Sequence, residues 1–223
     1  MRTNVVDMQY LIRLAERSEV AKLSAIEKAA AEPFYDYLST LELTPDKLDE
    51  IVSLPFLLRA QTAGRLWVAI VESQPVGFIV GRPLAESFFI VELDVLPSHT
   101  RLGIGTALMR TACDYAQAQE FEAVTLTTFR HVPWNIPFYE TLGFKVVLVE
   151  DLSVEMQEIV EHEDRYGFKR EHRAVMKAAL IPQPLLPDLG EGESESRFLS
   201  SVNSKSLSPR NRDLGCRGQS GCS

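Results

Sequence analysis

FFIVELDVLPSHTRLGIGTALMRT, residues 88–111, is the stretch from which the rest of the chain can be read. Residues 88–95 are an apolar run with β-branched members, which predicts a strand buried on at least one face. Pairing stops within Leu96-Pro97-Ser98-His99, because proline has no N–H to give a ladder. Ile104, Ala107, Leu108, Thr111, Ala112 and Tyr115 then recur at the spacing of one helical face. A strand therefore feeds a helix through a loop ending in Arg101-Leu102-Gly103-Ile104-Gly105-Thr106. Glycines let the main chain approach a ligand closely, and the first N–H groups of a helix have no intrahelical partner. With the positive end of the helix dipole they make an anion site, whose expected guest is a phosphate. The loop is not a dinucleotide fingerprint, because Leu108 stands where a third glycine is needed, and no Gly-Lys-Ser/Thr of the Walker type occurs.

Working outward, the chain of 223 residues is 45% hydrophobic, enough for one good core and an enzyme-sized domain. Its net charge of −8, spread without a basic stripe, argues against a nucleic-acid partner. The N-terminal residues mix charges into any apolar run, so no signal peptide is expected. No apolar window is long enough to span a bilayer, so the expectation is a soluble cytoplasmic protein with no membrane partner. Three cysteines, Cys113, Cys216 and Cys222, form neither a disulfide framework nor a zinc pattern, and no metal is expected. Residues 181–223 are rich in Ser, Pro and Gly and read as a disordered tail after a domain at residues 1–180.

Before the decisive stretch, residues 10–14 predict a short strand, and Ser18-Glu19 opens a helix that ends near Pro33. A second helical region over residues 41–63 starts at Thr44-Pro45-Asp46 and is interrupted by Pro55. Residues 66–72 and 76–82 are strands joined by Ser73-Gln74-Pro75, giving three consecutive antiparallel strands with residues 88–95. After the helix, which should end near Gln119, residues 123–128 alternate as a strand, parallel to its predecessor because a helix crosses between them. Residues 153–165 read as an acidic helix and residues 173–180 as a last strand.

A second constellation is Pro133-Trp134-Asn135-Ile136-Pro137-Phe138-Tyr139-Glu140-Thr141-Leu142-Gly143-Phe144. Asn135 is a cap for a short helix, Pro137 fits its first turn, and Gly143 ends it in a left-handed residue. Asn135 and Tyr139, four apart, project from one face, and Phe144 begins an apolar strand, FKVVLV.

These two constellations, in this order, resemble motifs A and B of the GNAT superfamily of N-acetyltransferases. Gly103 and Gly105 match the glycines of motif A, with Thr100 at its Gln/Arg position and Arg101 supplying a charge one place on. Asn135, Phe138, Tyr139, Leu142, Gly143 and Phe144 match motif B in the branch that carries a Pro-Trp-Asn before it. The resemblance covers residues 10–180 and implies an α+β fold: a central mixed, mostly antiparallel sheet, splayed between two parallel strands and flanked by helices. It implies acetyl-CoA as co-substrate. The pyrophosphate would lie on Arg101, Leu102, Gly103, Ile104, Gly105 and Thr106, and the pantetheine amides along the main chain at Asp94, Val95 and Leu96. Asn135 and Phe138 join that cofactor set, while Phe34, Tyr35 and Tyr37 are candidate lining of an acceptor pocket.

Acetyl transfer to an amine needs a base, because a lysine-like amine is ammonium at neutral pH. Strand alternation puts Ile90, Glu92 and Asp94 on one face and Val91, Leu93 and Val95 on the other, so Glu92 is the candidate base and Asp94 raises its pKa. The competing reading is a pair of solvated or ion-paired acids on a half-exposed strand. The resemblance assigns Tyr139 as the general acid that protonates the departing thiolate, a task its phenol suits. Cys113, inside the helix, is a poor nucleophile. The expected reaction is direct attack by a primary amine, from a small molecule, amino acid or peptide, in a ternary complex. Protein N-terminal or lysine acetylation and a non-catalytic acyl-CoA-binding module are the rivals, and the chain alone allows a homodimer.

Overall fold

The computed structural model describes residues 9–180. Strand β1 (Leu11–Leu14) is followed by the helices α1 (Leu23–Ala31), α2 (Leu38–Leu41), α3 (Pro45–Leu48) and α4 (Leu54–Thr62). Strands β2 (Leu66–Val71), β3 (Gln74–Pro83) and β4 (Ser87–Val95) come next, then α5 (Ile104–Ala118) and β5 (Ala123–Phe129). The chain continues through α6 (Asn135–Glu140), β6 (Lys145–Val146), α7 (Val154–Arg165) and β7 (Arg173–Ala179). The seven strands form one sheet in the order β1-β2-β3-β4-β5-β7-β6. Only β4 and β5 run parallel, so the sheet is mixed and mostly antiparallel, as expected. The tail expected over residues 181–223, with Cys216 and Cys222, falls outside the described residues.

Helix α5 covers one face of the sheet because its apolar stripe, Ile104, Leu108, Met109, Ala112 and Ala116, is buried. Those side chains meet Trp67, Ile79, Phe88, Ile90, Val124 and Leu126, and each large one contributes about 1.5–3 kcal/mol by leaving water. Tyr115 locks the contact, with its ring 5.2 Å from both Trp67 and Phe88. On the opposite face, Leu23 and Ile26 of α1 and Leu57 and Ala60 of α4 pack on Leu66, Val68, Phe78 and Val80. Met156 and Val160 of α7 close a third cluster with Phe89 and Val175.

Beside Gly81, β4 carries one extra residue: Val80 faces Glu92 and Gly81 faces Ile90, so Val91 is bulged. The bulge coincides with a split. Pairing of β4 with β5 covers only residues 87–90 against 123–126, while β4 stays on β3 to Val95 and β5 stays on β7 to Phe129. It also resets the alternation. Phe88, Ile90, Leu93 and Val95 all pack toward α5, which corrects the expected grouping of Ile90 with Glu92 and Asp94. The two acids do share a side, but it is the one opposite Ile90, with Val91. Gly81 is required at this kink: a Cβ there would stand 2.4 Å from Phe88 Cε1 and 2.9 Å from Phe89 O. Gly81→Ala is therefore expected to destabilise the fold by about 2–3 kcal/mol and lower Tm by roughly 5–10 °C. An unchanged melting curve would show that the bulge repacks freely.

Other expectations shift for local reasons. The β2–β3 turn is two residues, Glu72 and Ser73, both at positive φ (47° and 65°) with Val71 opposite Gln74, rather than the expected Ser73-Gln74-Pro75. Pro55 does not interrupt a helix. It sits in the first turn of α4 after Ser53, where its missing N–H would have no partner. Glu19 does not cap a helix either: its carboxylate accepts from Arg13 Nη1 and Nη2 at 2.8 and 2.7 Å and from the Glu16 N–H at 2.8 Å. The strand expected from Phe144 shrinks to Lys145–Val146, because Phe144 is buried and only an edge position beside β7 is open.

Candidate active site

A single cleft of about 1530 Å³ takes in the turn after β4, the split edges of β4 and β5, α6, and the inner faces of α1 and α7. Of the residues singled out in the sequence, Glu92, Val95, Arg101, Gly103, Gly105, Thr106, Asn135, Phe138 and Tyr139 all line it. Leu102 and Ile104 do not: the first is 42% exposed and the second 1% exposed on the face of α5 that packs against the sheet, so each offers only main chain.

The turn has the geometry of an anion cradle. Arg101 and Gly103 both adopt positive φ, 61° and 81°, and Gly103 flanks the first residue of α5. Among the described residues, no main-chain acceptor serves the N–H groups of residues 101–106; the first to find one is Ala107, bonded to Gly103 O at 2.9 Å. Such a row of open donors at a helix start attracts a phosphate-like group. Gly105 keeps the cradle narrow, since a Cβ there would already touch the Phe138 ring at 3.4 Å.

Along the split, Leu96 donates its N–H to Val76 O at 2.8 Å and accepts from His99 N–H at 2.8 Å. Its single N–H is therefore committed, so the expected main-chain donor at Leu96 is not free. Strand alternation turns the main chain of Val95 the other way, toward the side that β5 has left. Val95 is thus the residue able to pair with an extended guest.

Beyond it sits an unexpected carboxylate cluster. Glu27 of α1 joins Glu92 and Asp94, and carboxylate oxygens of the three lie within 4.8 Å of one another. Glu27 accepts the Val52 N–H at 2.7 Å through Oε1, while its Oε2 and Asp94 Oδ2 are buried without a partner. Burial, followed by the charge of Glu27, pushes Glu92 up to about 8; Arg173 and the Leu93 N–H pull it back. Burial pushes Glu27 up to about 7. Asp94 is raised by burial and then by Glu92 and Glu27. The Tyr139 phenol is also raised, first by burial and then by Glu92 and Asp94. That phenol stays protonated through the whole neutral range.

Helix α7, to which the sequence assigns no part in the site, lines the cleft. Ser153 caps it, accepting the Met156 N–H at 3.3 Å. Its Glu163 accepts from Arg173 Nε at 2.9 Å and from the Thr127 hydroxyl at 2.6 Å, and the Arg173 guanidinium lies 4.7 Å over Phe129. Sequence reasoning missed Glu27, Glu163 and Arg173. A signal existed for Glu27, which falls on the apolar stripe of its helix four residues after Leu23.

Other candidates are placed differently. Trp134, not Asn135, flanks α6, and no side chain caps that helix; Asn135 is its first residue. Gly143 does adopt positive φ, 87°, with Phe144 N–H bonded back to Tyr139 O at 3.1 Å. Phe34 lines the cleft beside Trp134 and Phe129, but Tyr35 instead bonds Asp49, and Tyr37 packs edge-on against Trp134. Cys113 lies outside the lining, and burial pushes its thiol up to about 11, which makes it unreactive at neutral pH.

Comparison with known proteins identifies the family and the fold. The family model described as acetyltransferase (GNAT) family matches residues 23–144, more than half of the chain. Among curated proteins, the probable N-acetyltransferase camello of Xenopus laevis is 36% identical over 86 residues, 37% of this chain and 39% of that protein. N-acetyltransferase family 8 member 3 of Mus musculus is 32% identical over 85 residues, 35% of this chain and 38% of that protein. The matches thus span under two fifths of these curated relatives. Among solved structures, the PaiA N-acetyltransferase of Thermoplasma acidophilum in complex with coenzyme A superposes with a TM-score of 0.59 at 18% identity, over 78% of this chain and 100% of that one. The ribosomal-protein-S18-alanine N-acetyltransferase of Escherichia coli gives 0.56 at 14% identity, over 80% and 98%. At such identities the superpositions speak for the fold. Among the described residues, no helix is long and apolar enough to cross a membrane.

Proposed function

The chain belongs to the acetyltransferase (GNAT) family, and from that premise we propose that it moves the acetyl group of acetyl-CoA to a primary amine, by direct attack of the amine in a ternary complex. One observation carries the reading: a single cleft holds the open N–H groups of residues 101–106, the split between β4 and β5, and the Tyr139, Glu92 and Asp94 side chains. The residues fit acetyl-CoA by their donor chemistry. The turn presents main-chain N–H groups and Arg101 to a diphosphate, and Val95 presents a strand edge to an amide-bearing arm. When bound, acetyl-CoA supplies a thioester whose carbonyl carbon accepts the amine.

The protein's own groups perform the proton transfers. Glu92, with a pKa near 8, takes a proton from the incoming ammonium, directly or through water, so that the nitrogen lone pair is free. Tyr139 donates its phenolic proton to the departing sulfur and is restored from solvent. Val95 and the two acids Glu92 and Asp94 line the same cleft, so the thioester and the amine can be bound there together. No covalent acetyl-enzyme is needed, and Cys113 is outside the cleft.

Thiol release from acetyl-CoA, measured against a panel of small amines, amino acids and peptides, tests this function. Turnover that depends on an amine is expected. Cofactor binding without turnover on any amine would favour a non-catalytic acyl-CoA-binding module instead.

A further inference from the structure

We propose that Glu27, Glu92 and Asp94 form one tripod for the ammonium head of an unhindered primary aliphatic amine, which enters as the cation and leaves its proton there. The assignment deepens the acetyl-transfer reading and rests on it for the later fate of the amine, but not for the binding step.

The geometry admits this ligand. A primary ammonium directs three N–H donors at tetrahedral angles, so hydrogen bonds of about 2.8–2.9 Å place their acceptors about 4.6–4.7 Å apart. The three carboxylates offer oxygens within 4.8 Å of one another. Glu27 is only 8% exposed, and its Oε2, like Asp94 Oδ2, is buried with no hydrogen-bond partner. A buried carboxylate oxygen without a donor is costly, and a ligand N–H relieves that cost. The Val52 N–H fixes Glu27 Oε1 at 2.7 Å, which leaves Oε2 as the free arm. The cleft admits such a head because all three acids are among its lining residues.

The charge balance agrees. Groups that act on the tripod from neighbouring elements are the Tyr139 phenol of α6, Arg173 of β7 and Glu163 of α7. Arg173 is held by Glu163 at 2.9 Å, so it does not neutralise the three acids by contact. An arriving cation lowers the pKa of each carboxylate, and protons held at neutral pH are released. Transfer then breaks one N–H bond, forms one O–H bond on a carboxylate, and leaves the electron pair on nitrogen. The class of acceptor follows. Aliphatic primary amines fit; arylamines, neutral and one donor short, do not; quaternary ammonium ions have no donor; and an α-carboxylate beside the amine would be repelled.

The test is titration calorimetry of the full chain near pH 7, in two buffers of different ionisation enthalpy, with n-propylammonium chloride as probe. Tetramethylammonium and magnesium chlorides serve as comparators. Wild type should bind propylammonium with net proton release, and tetramethylammonium at least tenfold more weakly. Glu27→Gln, which retains an oxygen for the Val52 N–H, should melt as a folded protein and bind propylammonium at least tenfold more weakly. Equal binding of tetramethylammonium, preference for magnesium, no proton release, an unaffected Glu27→Gln variant, or no propylammonium binding to folded wild type would each overturn the tripod. Coenzyme A binding, measured on the same samples, separates the two readings. Its failure with propylammonium binding intact removes acetyl transfer and leaves the tripod, and the reverse outcome removes the tripod alone.

Discussion

Replacing Tyr139 with phenylalanine should lower kcat by about 100-fold or more while leaving the affinity for coenzyme A within about twofold. The substitution removes the hydroxyl and little else. The ring of Tyr139 packs edge-on against Phe138 and Phe144, with centroids 5.1 and 6.0 Å apart, and phenylalanine keeps both contacts. The phenol is raised above its ordinary value by burial and by Glu92 and Asp94, so it is a proton donor at every pH at which the protein would work. A thiolate leaving without that donor must depart as an anion into a cleft already lined by carboxylates. Steady-state kinetics with a coenzyme A titration check the split. An unchanged kcat would return Tyr139 to a packing role.

Glu92→Gln should act on two observables in opposite directions. With Glu92 as base, kcat/KM rises with pH through about 8, because only the ionised carboxylate takes the proton. The descending limb set by Tyr139 lies well above pH 10, since that phenol is raised. Glutamine should remove the rise and lower kcat/KM by about 100-fold on the plateau. Stability should move the other way. A carboxylate whose folded pKa is raised binds more protons in the folded state than in the unfolded one. Wild type therefore loses stability as pH climbs from the ordinary carboxylate value near 4.5 to about 8. Glutamine is spared that loss. The variant should be more stable than wild type at pH 9, on the order of a few kcal/mol, and the difference should shrink by pH 4. An identical pH–rate profile would show that Glu92 takes no proton in the reaction, and a variant less stable at pH 9 would contradict the burial argument.

The parts of the fold legible in the sequence were those written in a local pattern. The stripe of α5, the glycine turn before it, the acidic helix from residue 153 and the parallel return of β5 each follow from neighbours in sequence. The bulge at Val91 does not. Ile90, Val91 and Glu92 read as unbroken alternation, and only the contact of Gly81 with Phe88 and Phe89 across the β3–β4 pair sets the extra residue. Proline misleads in the other direction: Pro55 reads as an interruption of a helix although it stands where one begins.

The site divides in the same way. Its anion cradle and Tyr139 lie inside two short motifs, whereas the rest of the cleft is assembled from α1 and, far later in the sequence, from α7 and β7. Glu163 and Arg173 meet across a turn and then reach Thr127 on β5, a contact of 46 residues' separation for Arg173. Nothing local announces it. Glu27 could have been found, because an acid on the buried stripe of a helix conflicts with the pattern around it. Leu96 shows the limit of placing main-chain contacts by position alone, since its N–H is already committed to Val76 O.

A crystal structure of the chain with acetyl-CoA is the most direct test of the whole account. The diphosphate oxygens should lie about 3 Å from main-chain nitrogens of residues 101–106, the pantetheine amide should pair with Val95, and the sulfur should be within reach of the Tyr139 hydroxyl. A cofactor that bypasses this turn, or a sulfur aimed away from Tyr139 and the carboxylates beside it, would contradict the account.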